Sequence, residues 1–535
     1  MSTASRIPVI GRLFRKRKSE ARIYRGIQSV RRDARPLYYL IRAFFKLVIQ
    51  TQHSEIRAIG LENIPPDGSV LLVGNHPNSY LDYFNLLHVI RHPVATAAKD
   101  TITSWFLLGP LLRNHMLMVP IARRQDQDET GASEEDRREA NEKAVREAVE
   151  LLVQGRLFNI FAEGRSTDSR KLNKIKMGFM HMAILAEKEY NFKLNLRIVP
   201  FGFFYDRINK FQNSVVIAFG KPMKLKDLVD LPEDFLSLPD GERSALEKRI
   251  MLAGKNRMQT DIEDLIISIR DKNLVDLIDD ITALYVKSPF KYMGPFNNIA
   301  EKYRLSKIIS DSIQIARDRP EGREKLETLK RQMSAYRKEL KKSGLRDAVI
   351  RREHTWAELG YHLRVLIKGV LFAPFILYGH LANFLPRMMG RFMRYYVIEV
   401  KKRAKVDGDE QAIIGAVVTG LITYPILGVG IFVLLRDYVL GPAFELIHNL
   451  IGPSPIVDVL AGHPVATSAG LAILSVYLMA RLWRFSLYHG QQLKDAYYWS
   501  KDSLVEILRG RDVRRLREMR YDIIDTMDFV IGDCY

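Results

Sequence analysis

The feature that most limits how this chain folds is an uncharged run of 25 residues, 411–435, in its last third. A bilayer core is about 30 Å thick and needs roughly 20 residues of α-helix to cross it. Shorter uncharged runs at 369–385 and 464–480 lie on either side and are marginal in length. The alternative is that all three are core helices of a soluble all-α domain. Because a charge-free run as long as 411–435 is rare in soluble helices, we predict a membrane region.

The charges beside these runs predict their orientation. Lys and Arg residues lie on both sides of 369–385, whereas the stretch between 411–435 and 464–480 is not basic. Cytoplasmic flanks of membrane segments are enriched in Lys and Arg. We therefore expect 369–385 to be re-entrant or spanning, with its basic flanks favouring a re-entrant or interfacial segment. The other two runs are predicted to span as a hairpin, which returns the C-terminal tail to the cytoplasmic side.

The overall charge indicates anionic partners. The 535 residues include 82 Lys/Arg and 62 Asp/Glu, for a net charge of +20. Such a chain favours phosphorylated ligands, anionic lipid or nucleic acid. Its basic residues cluster beside apolar runs and not beside aromatic stacking platforms, so no nucleic-acid partner is expected. The single cysteine, Cys534, excludes an intrachain disulfide.

The N-terminal region combines a basic tail with an amphipathic stretch. The first 36 residues contain eleven Lys/Arg and two acidic residues. Arg42 and Lys46 interrupt the apolar sequence that follows, so no cleaved signal peptide is expected. We expect residues 37–50 to form an interfacial helix that contacts membrane lipid. The alternative is a solvated basic tail followed by a packed helix.

Residues from about 68 to 220 alternate between short apolar segments and helical ones. A helix is predicted from Ser133, an N-cap with acidic residues in the first turn, to Gly155, which stops it. Further helices are expected at 80–90 and 177–188. Strands of a buried sheet are predicted at 69–73, 116–122, 156–164, 196–203 and 214–220. The pattern predicts an α/β fold with a mixed, mostly buried sheet flanked by helices.

A histidine and an aspartate follow the first of these strands, in the stretch GNHPNSYLD. His76 lies just past the strand end, where open α/β sheets usually present their ligands, and Asp82 falls at the start of the next helix. A short turn brings the carboxylate onto the imidazole. The carboxylate would hold one ring N–H and leave the other nitrogen to accept a proton. Taken alone, such a pair is more often structural than catalytic.

Three further stretches place polar or turn-forming residues at strand ends in the same region. They are VPIARR, FAEGRS and IVPFG. Their candidate site residues are Arg123, Glu163, Gly164, Arg165 and Pro200. Because parallel strands end at one edge of a sheet, we expect these stretches to converge with the His/Asp pair.

Together the four stretches resemble the sequence blocks of the glycerolipid (PlsC-like) phosphate acyltransferase superfamily, in the same order and over roughly residues 55–225. That family has an Asn-His-x4-Asp block, a block ending in an apolar residue, any residue and Arg, a Phe-Pro-Glu-Gly-Thr-Arg-Ser block and a Val-Pro block. Here five residues, not four, separate His76 from Asp82, and the third block reads Phe-Ala-Glu-Gly-Arg-Ser. The longer spacing resembles fungal-type glycerol-3-phosphate/dihydroxyacetone-phosphate acyltransferases and some bacterial relatives, which carry C-terminal spans.

The resemblance implies an O-acyltransferase with named roles for two groups of residues. His76 would be the general base on a glycerol hydroxyl, and Asp82 would orient it. Arg123 and Arg165 would bind the acceptor phosphate, because guanidinium groups bind phosphate bidentately. Lys176 matches a basic position of the family and is a further candidate.

The remaining predicted site residues have supporting roles. Glu163 is expected to bind the glycerol hydroxyl or to anchor its loop, Gly164 to let the backbone come close, and Pro200 to shape the site. The sequence has no HExxH pattern, no Cys/His cluster, no Walker or GxGxxG loop and no G-x-S-x-G elbow. No metal or cofactor is therefore predicted, and a serine hydrolase is disfavoured. Acyl-CoA or an acyl carrier protein would serve as the co-substrate.

The resemblance leaves the substrate open. The five-residue spacing favours glycerol-3-phosphate as acceptor in phospholipid biosynthesis. The alternative is 1-acyl-sn-glycerol-3-phosphate, which would yield phosphatidic acid. A second alternative, of another class, is a non-catalytic membrane lipid-binding protein.

The predicted organisation has five parts. The enzyme is expected to be an integral membrane protein with its catalytic domain on the cytoplasmic face. The parts are a basic N-terminal region with the interfacial helix at 1–54, an acyltransferase domain at 55–223, a charged helical region at 224–355, a membrane region at 356–484 and a helical tail at 485–535.

Overall fold

The computed structural model divides the chain into two compact units. One comprises Met1–Arg351 with Gly510–Tyr535, and the other comprises Arg352–Arg509. The residues that the structure describes are 36–99, 109–122, 133–164, 171–206, 208, 211–232, 235–267, 272–285, 299–350, 356–401, 405–452 and 454–532.

A seven-stranded sheet forms the centre of the first unit, with strand order β1-β7-β6-β2-β5-β3-β4. Neighbouring strands pair in parallel, except that β6 and β7 pair antiparallel. The sheet is therefore mixed, which confirms the predicted α/β fold class. Its strands are β1 (His53–Ile59), β2 (Val70–Gly74), β3 (Val94–Lys99), β4 (Met118–Ile121), β5 (Leu157–Phe161), β6 (Arg197–Tyr205) and β7 (Asn213–Phe219).

Helices cover both faces of this sheet and continue beyond it. Short helical turns at Leu61–Asn63, Leu225–Asp227 and Phe235–Ser237 connect some elements. The helices up to residue 350 are α1 (Pro36–Gln52), α2 (Tyr80–Val89), α3 (Gly109–Met116), α4 (Glu134–Val153), α5 (Gly178–Glu189), α6 (Asp240–Ile266), α7 (Lys272–Tyr285), α8 (Ile299–Asp318), α9 (Pro320–Ser343) and α10 (Asp347–Ile350).

The central strands are apolar on both sides because each face of the sheet packs against helices. In β2, Leu71 and Val73 belong to the core formed with α4, α5 and α6. Val70 and Leu72 belong to the core formed with α1, α2 and α3. This burial holds β2 rigidly in the middle of the domain.

The predicted start of α4 is confirmed in atomic detail. The Ser133 hydroxyl accepts the Asp136 N–H at 3.0 Å, and the Asp136 carboxylate accepts the Ser133 N–H at 3.0 Å. This reciprocal capping box satisfies two donors that a helix start otherwise leaves free. The helix ends at Val153, and Gly155 follows with a φ of 75°, a conformation that glycine adopts without strain.

The second unit is helical throughout its described residues. It contains α11 (Trp356–Leu371), α12 (Ala373–Ala382), α13 (Phe384–Tyr395), α14 (Lys405–Leu434), α15 (Leu440–Ile451), α16 (Pro455–Gly462) and α17 (Pro464–Leu508), with π-helical turns at Tyr396–Val400 and Leu435–Val439.

One continuous helical stretch of the described chain, Gln411–Leu450, is long and apolar enough to cross a membrane. Two bent pairs would raise the number to three if each counted as one span. These are Leu359–Leu371 with Ala373–Ala382, bent by 64°, and Pro464–Met479 with Arg481–Lys501, bent by 43°. All three predicted apolar runs therefore overlap helices with the composition of membrane segments.

A buried asparagine links several helices of the second unit. The Asn383 side-chain amide donates to the carbonyl oxygens of Gly379 at 2.9 Å and Met479 at 3.2 Å. Its oxygen accepts the Tyr424 hydroxyl. The single side chain thus connects α12, α14 and α17 with hydrogen bonds of the kind that join helices in an apolar environment.

The last helix, α18 (Gly510–Gly532), belongs to the first unit and packs against α7 to α10. The Tyr285 hydroxyl donates to Asp528 at 2.7 Å, and the Arg517 guanidinium donates to the Ile350 carbonyl at 3.1 Å. Arg520 is buried and donates to the Leu284 carbonyl. The tail, whose role the sequence left open, therefore completes a helical bundle.

A buried histidine lies where β1 begins beside β7. His53 is 1% exposed, and its Nδ1 bonds to the Asn213 side-chain oxygen. Burial disfavours the charged ring and lowers the pKa of His53 from 6.5 to about 4. The folded chain therefore keeps this ring neutral over a pH range in which the unfolded chain protonates it.

We expect the free energy of unfolding of the first unit to fall as the pH drops from 6.5 toward 4. The unfolded state takes up a proton at the ordinary His pKa and the folded state does not, a difference worth about 3 kcal/mol. Thermal unfolding of the full chain in detergent at pH 7 and pH 4.5 measures the loss. His53→Gln should lose less, and His181→Gln, at an exposed position, should follow the wild type. Equal losses in His53→Gln and the wild type would contradict the assignment.

Candidate functional site

The candidate site lies at the sheet edge where β2, β5 and β6 end. β2 is the middle strand of these three, and its last residue, Gly74, pairs with Phe161 of β5 and Phe201 of β6. Segments that leave parallel strands at one edge emerge side by side. The sheet register therefore brings the end of β2 beside stretches that are more than 80 residues away from it in the sequence.

His76 and Asp82 form a hydrogen-bonded pair at this edge. Nδ1 of His76 lies 2.9 Å from Oδ2 of Asp82. A carboxylate accepts hydrogen bonds and does not donate them, so Nδ1 carries the proton and Nε2 presents a lone pair. The imidazole stacks on the Phe161 ring, with centroids 4.0 Å apart and planes 4° from parallel. No described residue forms a hydrogen bond with Nε2, which leaves it able to accept a proton from a substrate.

Three donors hold the Asp82 carboxylate, which is fully buried. Besides His76, the Asn78 N–H donates to Oδ2 at 2.7 Å and the Tyr205 hydroxyl donates to Oδ1 at 2.6 Å. The Asn85 amide donates to the Tyr205 oxygen at 3.0 Å. Burial, and then the negative charge of Asp82, raise the pKa of Tyr205 well above its ordinary value. The hydroxyl therefore stays protonated and donates throughout the physiological pH range.

The loop from β2 to α2, residues 75–79, has an unusual backbone conformation at its last residue. Ser79 has a φ of 47°, a region that residues with a side chain rarely adopt. The next residue, Tyr80, begins α2, and Asp82 lies in its first turn. The bond from the Asn78 N–H to the carboxylate spans this strained residue and holds the five-residue loop in place.

Glu163 anchors the His76 loop to the loop that follows β5. One carboxylate oxygen accepts the His76 backbone N–H at 2.9 Å. The other accepts the Asn173 backbone N–H at 3.1 Å and its side-chain amide at 2.6 Å. Of the two roles predicted for Glu163, these contacts fit the anchoring one, because both oxygens already bind protein groups and the side chain is 5% exposed.

Gly164 and Lys176 lie against each other beside Glu163. Gly164 has a φ of 69°, which favours glycine, and a Cβ there would come within 2.7 Å of the Lys176 ammonium. The Lys176 N–H donates to the Ala162 carbonyl at 2.8 Å, which fixes the backbone below the side chain. The glycine thus leaves room for the Lys176 ammonium beside the loop that contains Glu163.

Pro200 lies inside β6 and not at the sheet edge. It pairs with Val73, one residue before the end of β2, and its carbonyl accepts the Gly220 N–H at 2.8 Å. That Pro200 shapes the site stays a prediction.

The two predicted phosphate-binding arginines, Arg123 and Arg165, lie outside the described residues. The segment that leads to Arg123 is fixed, because the Asn141 side chain accepts the Ala122 N–H and donates to the Ala122 carbonyl, both at 3.0 Å. Ala122 directly follows β4, so this segment starts at the same sheet edge as His76.

Sequence reasoning missed three residues that support the pair. Tyr205 and Asn85 extend the hydrogen bonds of Asp82, and Asn173 binds Glu163. Tyr205 is the last residue of β6, and this strand-end position is the one signal that could have identified it. Among the described residues, no group of three or more His, Cys, Asp or Glu is placed to hold a metal ion.

Comparison with known proteins identifies a family for the part of the chain that contains these residues. Residues 55–203 match a family model described as Acyltransferase, a span that contains every predicted site residue. No curated protein matches the chain. A similar solved structure is the 1-acyl-sn-glycerophosphate (LPA) acyltransferase PlsC from Thermotoga maritima, at 19% identity, with 44% of this chain and 81% of that chain covered and a TM-score of 0.29.

We expect Tyr205→Phe to slow acyl transfer by about tenfold and to move the acid limb of its pH–rate profile to higher pH. The substitution removes one donor from a buried carboxylate, which then holds the imidazolium form of His76 more strongly. Rates of acyl transfer measured from pH 5 to 9 test both effects. Tyr190→Phe, at an exposed position of the same domain, is the matched control. If the Tyr205→Phe enzyme were slower but its pH–rate profile did not shift, Tyr205 would contribute only to packing.

Proposed function

The chain belongs, through its domain at residues 55–203, to the glycerolipid (PlsC-like) acyltransferase superfamily, and from this membership we propose that it acylates glycerol-3-phosphate. The donor would be an acyl thioester, and the reaction would serve phospholipid biosynthesis at a membrane. The observation that carries the proposal is the buried His76–Asp82 pair with an open Nε2.

The geometry supports direct transfer without a covalent enzyme intermediate. Nε2 of His76 takes the proton of the acceptor hydroxyl while its oxygen attacks the thioester carbonyl. The tetrahedral intermediate collapses, the C–S bond breaks, and the thiolate leaves and recovers the proton from the imidazolium. Asp82 stabilises that imidazolium through Nδ1–H and stays ionised because its other donors remain in place.

Cations beside the pair would bind the acceptor phosphate. Lys176 extends over Gly164 at the same sheet edge. Arg123 and Arg165 follow two strands that end at this edge and would add bidentate contacts. Anchoring by Glu163 holds the loops that carry His76 and Lys176 together, which fixes the distance between base and phosphate site.

The same chemistry could acylate either of two acceptor molecules. The five residues between His76 and Asp82 favour glycerol-3-phosphate, as in the subgroup that shares this spacing. The alternative acceptor is 1-acyl-sn-glycerol-3-phosphate. A non-catalytic lipid-binding role is disfavoured, because such a role does not require an imidazole held in the tautomer of a base.

We further propose that the enzyme is an integral membrane protein with its catalytic domain on the cytoplasmic face. Residues 299–350 and Gly510–Gly532 pack into one bundle, so the chain leaves this unit and returns to it. A segment with both ends on one side crosses a membrane an even number of times. Gln411–Leu450 would be one span, and one bent pair the other, while the basic flanks of 369–385 make the first pair the re-entrant one.

The helix α1 has one buried and one exposed side, as a helix at a membrane surface would. Tyr38, Ile41 and Ile49 pack inward, while Tyr39 and Leu40 are exposed. We propose that the exposed side contacts membrane lipid.

The first test is acyl transfer by membranes that contain the full chain. Labelled palmitoyl-CoA is offered with glycerol-3-phosphate, dihydroxyacetone phosphate or 1-acyl-glycerol-3-phosphate. We expect the wild type to acylate glycerol-3-phosphate and His76→Ala to lose activity by about 10²–10⁴-fold, because the base is gone. The exposed His463→Ala variant is the control. Full activity of His76→Ala would refute the mechanism, and preference for the 1-acyl acceptor would select the alternative reaction.

Labelling of single cysteines tests the topology. We expect Ser454→Cys, in a Cys534→Ser background, to react with an impermeant maleimide in sealed cells. Lys401→Cys in that background, and native Cys534 in the wild type, should react only after permeabilisation. The same accessibility at positions 401 and 454 would contradict a span at Gln411–Leu450.

A further inference from the structure

The helix α13 of the second unit has three sides of different character, and the first packs closely against α14. Its buried residues are Pro386 and Gly390. A Cβ at Gly390 would come within 2.9 Å of the Ala412 carbonyl oxygen, and a Cβ at Gly415 would come within 2.7 Å of the Met393 side chain. Small residues allow such close approach between helices in an apolar environment. The contact determines which sides of α13 remain exposed.

Arginines form the second side of α13. Arg387, Arg391 and Arg394 follow one another at intervals of four and three residues, and all three are exposed. The helix contains no acidic residue. Within the part of the chain that the structure describes, neither Arg387 nor Arg391 forms an ion pair. Like charges one helical turn apart repel each other, so an anion from outside the chain would stabilise this pair of guanidinium groups.

The third side of α13 is apolar and exposed. Leu385 is 58% exposed, Met388 44% and Phe392 58%, and their spacing places them along one side of the helix. A helix with an apolar side next to a cationic one lies in the plane of a membrane surface. Its apolar side then enters the acyl-chain boundary, and its cations stay at the level of the headgroups.

The contact with α14 places α13 at one end of the proposed membrane span. Ala412 and Gly415 belong to the first two turns of Gln411–Leu450, the helical stretch that is long and apolar enough to cross a membrane. The headgroup region begins where a span leaves the hydrocarbon core. Arginine side chains at this level extend their charges toward the headgroups, and cations there attract anionic lipid.

We propose that α13 is a binding surface for anionic phospholipid. Arg387 and Arg391 would hold the lipid phosphate, because residues four apart on a helix are neighbours and guanidinium groups bind phosphate bidentately. The adjoining apolar side would contact the acyl chains. Phosphatidylcholine fits less well, since its choline cation would lie beside the arginines. The inference rests on the membrane location proposed above and not on which acceptor is acylated.

The test is native mass spectrometry of the detergent-solubilised full chain, titrated with phosphatidylglycerol or with phosphatidylcholine. We expect the wild type to bind phosphatidylglycerol more tightly. The double variant Arg387→Gln/Arg391→Gln should raise the Kd for phosphatidylglycerol at least about fivefold, the contribution of one cation at a lipid surface, and leave the Kd for phosphatidylcholine unchanged. Lys338→Gln/Lys342→Gln is the matched control. It removes two exposed cations with the same spacing from α9 and should equal the wild type.

Each other outcome overturns the proposal. These outcomes are equal affinity of the wild type for the two lipids, and equal Kd values for phosphatidylglycerol in the two double variants. Displacement of phosphatidylglycerol by an equal concentration of inorganic phosphate would indicate a site for free phosphate instead. Disulfide-linked dimers of Phe392→Cys, in a Cys534→Ser background, would show that a second copy covers the apolar side. Acyl transfer is not part of this measurement, so the proposed function is confirmed or refuted separately.

Discussion

The buried carboxyl group of Asp82 is the constraint on which the candidate site depends. An unpaired charge in a protein interior costs several kcal/mol, so its oxygens must meet donors. Here the donors come from the His76 ring, the Asn78 backbone and the Tyr205 hydroxyl. Satisfying the charge therefore fixes the tautomer of the base, the conformation of the loop and the end of β6 at once. The same requirement that stabilises the fold locally also holds the imidazole in the tautomer on which the proposed base catalysis depends.

A second buried carboxylate, that of Glu163, extends this arrangement to the loop that follows β5. Glu163 binds the His76 backbone through one oxygen and Asn173 through the other. Each loop is thereby tied to its neighbour across the ends of β2 and β5, and Lys176 is carried on the second loop. Rigid loops suit a reaction whose catalysis comes from holding two substrates in a fixed orientation.

The helical bundle joins parts of the first unit that lie far apart in the sequence. Its last helix, α18, comes from the far side of the second unit in sequence, yet it packs on α7 to α10 through Arg520 and Tyr285. The residues Arg352–Arg509 are therefore preceded and followed in the sequence by parts of the same unit. The charge pattern along the sequence and the packing of the bundle are independent observations that support the topology proposed above.

The sequence by itself determined the α/β class, the capped start of α4, five of the strands and the order of the motif stretches. These features depend on local periodicity and on the polar and turn-forming residues that directly follow strands. It did not indicate β1 or β3. β1 is an edge strand with a polar sequence, and β3, VATAAK, is rich in alanine, so neither shows the apolar pattern of a buried strand. Only the tertiary structure showed that Tyr205 bonds to Asp82, 123 positions away in the sequence. It also showed that the Glu163 carboxylate accepts the His76 backbone N–H and that the C-terminal tail packs into the helical bundle. Those contacts arise from sheet register and helix packing. These bring together residues that are distant in the sequence, and the local sequence around one residue does not indicate its partner.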